Sequence, residues 1–169
     1  YGFDSYPQGF NCSNPIHWSD VPQFETNARQ ASPKTPIFIA EFQGGSFDPW
    51  GGPGYAKCQQ LTGPDFVNVF YKTLLSEGVT MLNSYMTYGG TSWGWLPEPT
   101  VYSSYDYGAA INEARQLTPK YYSMKRIGYL LQAVDPLTAT DLATGTTASN
   151  NVIDVQQRVN STTQTHFLF

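Results

Sequence analysis

No stretch of the chain approaches the apolar length of about 20 residues that spans a bilayer, and residues 1–20 lack the basic, then apolar layout of a secretory leader. Lysine and arginine number 9 against 13 acidic residues, with no basic cluster, so neither nucleic acid nor membrane is an expected partner. Histidine occurs only as His17 and His166, neither with a second ligand at metal spacing, so no metal and no cofactor is expected. Gly51-Gly52 and Gly89-Gly90 are not followed by the Gly-Lys-Ser/Thr of a phosphate loop. Ser5, Ser46 and Ser92 lack the surroundings of a hydrolase nucleophile elbow. Charged residues make up only 13% of the 169 positions, while aromatics reach 15% and hydrophobic residues 40%. That balance supports one domain with a substantial core and a neutral polar ligand.

Cysteine is equally scarce. Cys12 and Cys58, if bridged, close a loop of 46 positions, worth about 4 kcal/mol in the chain-entropy account; the alternative is two buried thiols. Asn11-Cys-Ser and Asn160-Ser-Thr are glycosylation sequons, the first weakened where its middle cysteine is oxidised. Sequons together with a bridge point to a secreted, extracellular protein.

What is present centres on residues 36–55. Ile37, Phe38, Ile39 and Ala40 form a short apolar run after Pro36, the mark of a strand covered on both faces, and Glu41 ends it. A carboxylate there loses hydration and needs a partner or a ligand. The following loop sets Phe47, Trp50 and Tyr55 among five glycines, flat apolar platforms on a backbone able to approach a ligand closely, which suggests a sugar site.

Taken in order, residues 2–6 read as a strand end stopped by Pro7. Ser19 or Asp20 reads as the N-cap of a helix reaching about Gln30. The Glu41 strand follows, then a helix from Pro64 to Glu77-Gly78, a strand over 79–86, and a third helix from Pro119 to about Val134. Short strands at 152–155 and around Val159 suggest a separate β module. Alternating strands and helices predict an α/β fold with a parallel sheet. The strand-to-helix loops are long and aromatic, and α/β barrels carry active sites on such loops, so Tyr6, Glu41, Tyr85 and the 87–108 loop should share one face. Three units leave open sheet edges. Tyr1 opens the sequence without Met and Phe169 ends it within a strand-like run, so a part of a longer polypeptide is expected. Trp93 and Trp95 fit a sugar platform or a packed loop. Glu25, Glu77, Glu98 and Glu113 fit solvated or capping roles, and Asp48 and Asp106 fit loop orientation.

Three ordered motifs, Tyr1-Gly-Phe-Asp-Ser-Tyr-Pro-Gln-Gly-Phe-Asn-Cys, Glu41-Phe-Gln-Gly-Gly-Ser-Phe-Asp-Pro-Trp-Gly-Gly and Ser104-Tyr-Asp-Tyr-Gly-Ala-Ala-Ile, resemble fungal β-galactosidases of glycoside hydrolase family 35. The resemblance implies that residues 1–135 form the C-terminal βα units of a catalytic (β/α)8 TIM barrel, and 136–169 a linker and the first strands of a β-rich domain. It implies a retaining exo-β-galactosidase acting on terminal β-galactosyl residues of lactose-like substrates or plant polysaccharide side chains, with Glu41 as nucleophile. Tyr6 and Tyr107 match substrate-binding tyrosines, and Cys12 and Cys58 match a family disulfide. The family's acid/base glutamate lies in an Asn-Glu pair on an earlier strand, whereas Asn112-Glu113 comes after the nucleophile, in an expected helix. That residue must come from the remainder of the polypeptide, and residues 1–169 alone should be inactive. A non-catalytic galactose-binding protein on the same scaffold is the alternative.

Overall fold

The computed structural model describes residues 1–14, 18–97, 102–143 and 152–169. Three strands, β1 (Gly2–Ser5), β2 (Ile37–Gln43) and β3 (Val79–Tyr85), form a parallel sheet with β2 in the centre. The alternating strand and helix pattern is therefore realised as parallel pairing. Ile37, Ile39, Phe42 and Gln43 of the central strand are buried, as a doubly covered strand requires.

Helix α1 (Phe24–Ala31) returns the chain from β1 to β2 and buries Phe24 and Ala28, four residues apart on one face. It begins later than the Ser19 or Asp20 signal predicts. Ser19 is taken up by the preceding loop, where its amide and hydroxyl both donate to the carbonyl of Pro7. The long loop after β2 contains a helix the sequence pattern did not reveal, α2 (Tyr55–Leu61), which carries Cys58. The next helical run starts at α3 (Pro64–Phe66), passes through a π-helical turn at Val67–Tyr71 and continues as α4 (Lys72–Ser76). Phe66, Val67, Tyr71 and Leu74 from this run join Ile37, Ile39 and Phe42 in the core. The last helix, α5 (Pro119–Ala133), has Pro at its first turn and buries Lys120, Ser123 and Ile127.

Between β3 and α5 the chain forms a small hairpin, β4 (Gly90–Thr91) with β5 (Ser104–Tyr105). Asn112 and Glu113 lie in a turn rather than in the expected helix, because Thr118 and Asn112 spend their side chains on Ala110 and Gln116 in that turn.

After a 3-10 turn at Asp135–Ala139 come β6 (Asp141–Leu142), β7 (Gln157–Asn160) and β8 (Thr165–Leu168), an antiparallel sheet in that order. The strand expected around Val159 is β7, fixed by pairing with β8, whereas residues 152–155 form no strand. Leu137, Phe167 and Phe169 pack on the same core as the parallel sheet. Arg158, 2% exposed, reaches from β7 to Glu25 at 2.8 Å and to the carbonyl of Ser76. Glu25 is thus the partner of a buried guanidinium and not a solvated carboxylate.

Candidate active site

Glu41 stands near the C-terminal end of β2, in register with Asp4 of β1. Two residues beyond Asp4, Tyr6 leaves the sheet and donates its hydroxyl to Oε2 of Glu41 at 2.5 Å. Burial, and then the accepting carboxylate, push the Tyr6 hydroxyl well above the usual tyrosine range, so the proton stays on the phenol. Among the described residues Oε1 of Glu41 accepts no hydrogen bond, which leaves it available to a ligand.

Aromatic rings wall this carboxylate. Tyr85, at the end of β3, meets the Tyr6 ring edge-on at 6.2 Å and shares a hydroxyl hydrogen bond of 3.0 Å with Tyr105. Tyr107 is fully buried, stacked on Tyr105 and packed edge-on against Phe47 and Tyr85. Burial, then the neighbouring Tyr6, raises the Tyr107 hydroxyl far above its ordinary value, yet among the described residues that hydroxyl has no hydrogen-bond partner. A buried unpaired hydroxyl is costly unless something completes it. Tyr107 also holds a left-handed backbone at φ 60°, uncommon for a bulky residue and a mark of local constraint.

The loops bearing these rings are stitched backbone to backbone. The amide of Ser46 donates to the Tyr107 carbonyl at 2.9 Å, and a Cβ on Gly45 would stand 1.8 Å from that same oxygen. Only glycine permits the approach. The side chain of Gln43 accepts from the amide of Gln8 and donates to the carbonyls of Gly9 and Gly45, tying the Tyr6 loop to the Glu41 loop. Buried Asp48 accepts from the amide of Gly54, and Asp106 accepts from Gly108 and Glu113, the orienting roles expected of both. Glu113 braces the hairpin, accepting from the hydroxyls of Thr91 and Ser104.

Cys12 and Cys58 form a disulfide with Cα atoms 5.2 Å apart, joining the Tyr6 loop to α2. Asp48 lies close to both sulfurs, but the bridge removes the thiolates that a metal would need. His166 bonds Gln157, whereas His17 and Glu98 lie outside the described residues. Trp93 and Trp95, 94% and 78% exposed, are not a packed loop core. The two sequons differ in kind: Asn11 is exposed, whereas Asn160 is 5% exposed and its Nδ2 donates to the Pro136 carbonyl.

Gln43 and Lys120 were not singled out by sequence. Lys120 is 2% exposed, and its Nζ meets the carbonyls of Gly44 and Gly108 and the hydroxyl of Thr62. A polar residue at the N-terminal turn of a helix gives no local sign of such burial.

Residues 5–130, which hold Glu41, Tyr6 and Tyr107, match the family described as Glycosyl hydrolases family 35. The chain belongs to that family. It is 53% identical over 132 residues to "Beta-galactosidase A" of a Penicillium species, and 51% identical over 132 residues to "Beta-galactosidase" of Aspergillus niger. Each of these alignments covers 76% of this chain and 13% of the relative. "Probable beta-galactosidase A" of Neosartorya fischeri is 50% identical over 137 residues, 79% of this chain and 14% of that protein. The chain thus spans a small part of the length of the family 35 relatives it matches.

Proposed function

We propose that this family 35 chain supplies the nucleophile half of a retaining exo-β-galactosidase, a secreted enzyme that removes terminal β-D-galactosyl residues. Residues 1–135 are then the last βα units of a (β/α)8 barrel, and 136–169 lead into a β-rich domain. The exposed Met81 and Leu82 of β3 support this, since an edge strand with apolar side chains suits pairing with a further strand.

The observation that carries the reading is the Tyr6 to Glu41 hydrogen bond at the end of adjacent parallel strands. With Oε2 held by the phenol, Oε1 attacks the anomeric carbon as the aglycone leaves, forming a galactosyl ester. Water then cleaves that ester with retention. The Tyr107 hydroxyl, buried and without a partner among the described residues, suits a sugar hydroxyl. The acid that protonates the leaving oxygen must stand about 5 to 5.5 Å from Glu41. Glu113, engaged by two hydroxyls of the hairpin, is not suited to that role. The acid therefore comes from elsewhere in the polypeptide, and residues 1–169 alone should turn over no galactoside.

The test is Glu41→Gln in the polypeptide at the full length of its relatives. Turnover of an aryl β-galactoside should fall by orders of magnitude while galactose binding, read by calorimetry, persists. Near-normal turnover rules the nucleophile role out.

A further inference from the structure

The site's two arms end on one buried cation. Gly44 comes three residues after Glu41, and Gly108 follows Tyr107 directly; their carbonyls both accept from Nζ of Lys120, at 2.5 and 2.6 Å. The third acceptor is the Thr62 hydroxyl at 3.1 Å, just past the end of α2, so one ammonium links three connections and the first turn of α5. Three acceptors match the three donors of an ammonium, leaving no N–H unpaired. Gly108 is left-handed at φ 61°, next to left-handed Tyr107, and a carbonyl in that turn points inward to the lysine. Two consecutive left-handed residues are an unfavourable backbone state unless the surroundings hold it. The grip on Gly108 is one contact that does so.

We propose that Lys120 is a positioning residue for the Glu41 and Tyr107 pair: by gripping the carbonyls of Gly44 and Gly108 together, it sets where the orphan Tyr107 hydroxyl stands relative to the nucleophile. This rests on the galactosidase reading above. Lys120 touches no substrate in this arrangement. It acts through the two loops, so its loss misplaces a binding hydroxyl rather than removing a reacting group, and the damage is greatest where geometry is most demanding, in the transition state.

The test is Lys120→Met in the full-length polypeptide, with kcat and KM for an aryl β-galactoside measured separately and a crystal structure of the variant. The expected result is a kcat lower by about 100-fold with KM within about threefold, and a displaced Tyr107 ring. A folded variant with wild-type kcat, or a loss carried by KM alone, overturns the role. Should the Met variant fail to fold, Thr62→Val decides, because it removes one acceptor at nearly unchanged side-chain volume, and the Cys58 carbonyl that the hydroxyl also serves keeps the Thr62 amide as donor. A kcat loss of about fivefold at unchanged KM supports the proposal, and unchanged kcat overturns it. If the wild-type polypeptide itself turns over no galactoside, the functional reading fails on its own. Lys120 is then judged by structure: a Tyr107 ring that stays within about 0.5 Å of its place in the variant rejects the positioning role.

Discussion

Tyr6 and Glu41 are joined by a hydrogen bond of 2.5 Å between groups carried by neighbouring parallel strands, 35 residues apart in the chain. The donor is a phenol held protonated by burial and by the carboxylate it serves. Replacing Tyr6 by Phe keeps the ring contacts with Phe10 and Tyr85 and removes only the hydroxyl. A hydrogen bond to a charged group contributes about 1.5 to 3 kcal/mol, so kcat of the full-length Tyr6→Phe enzyme should fall by about 10- to 150-fold. A change smaller than about twofold would show that the bond does not bear on turnover.

The sequons make a separable prediction. Asn11 is exposed, with its Oδ1 accepting from both the amide and the hydroxyl of Ser13, while Asn160 is buried with its Nδ2 donated to Pro136. A glycan is bulky and belongs at the surface. Mass spectrometry of the protein secreted from a fungal host, after enzymatic deglycosylation, should find conversion at Asn11 and none at Asn160. Occupancy at Asn160 would mean that β7 packs differently in the whole protein.

Arg158 holds the tail to the α/β part. Its Nη1 pairs with Glu25 at 2.8 Å and reaches Ser76, while Nε and Nη2 bond the hydroxyl and carbonyl of Thr140. Gly78, at φ 75°, leaves the space: a Cβ there would lie 2.7 Å from Nη2. Arg158→Leu strips a half-buried carboxylate and two carbonyls of their donor. The cost should be about 3 kcal/mol, the lower end for a broken buried pair because Glu25 keeps some contact with water. Denaturant midpoints of the full-length protein measure it, and a midpoint equal to wild type would show that the apolar contacts of Phe167 and Phe169 hold the tail without the arginine.

These contacts also mark how far the sequence can be read. The apolar run at Ile37 to Ala40, ended by a carboxylate, announces a covered strand, and the proline and glycine breaks announce the helices between strands; both follow from local periodicity. Glu41 stands out because it ends that run, and Tyr6 because it lies in a motif that resembles those of family 35 β-galactosidases. Lys120 and Gln43 do not stand out, since partners such as Gly44 and Gln8 lie 76 and 35 residues away and a polar side chain carries no local sign of burial. Glu25 resembles any acidic residue in a first helical turn, and its guanidinium partner is 133 residues downstream. The strand over 157–160 is marked in the sequence only by Val159, because the residue beside it is a buried arginine held by Glu25, Ser76 and Thr140, whereas the more strand-like Val152-Ile-Asp-Val lies outside the ladder.

Lys120 ties stability and activity to pH in opposite directions. Burial pushes its amine down from 10.5 to about 7, while Asp106 on the β5 loop works the other way. The α2 end and the β2 loop contribute only a hydroxyl and a carbonyl, without charge. Below about 7 both folded and unfolded chains carry the proton, and the full cost of burying the charge is present. Between about 7 and 10.5 the unfolded chain binds a proton the folded one has released, so this group's contribution to stability grows as pH rises. One proton is worth about 1.4 kcal/mol per pH unit, and Lys120→Met should lose up to that much slope across the window. The grip on the two loops runs the other way, because a neutral amine has two N–H donors for three acceptors. The wild-type kcat should therefore decline as pH passes about 7, and Lys120→Met, already slow, should lack that limb. Unfolding measured by denaturant at several pH values, beside a kcat profile of both proteins, reads the two effects. Equal slopes in wild type and variant would show that the three acceptors hold the ammonium charged into alkaline solution, with the grip on Gly44 and Gly108 then independent of pH.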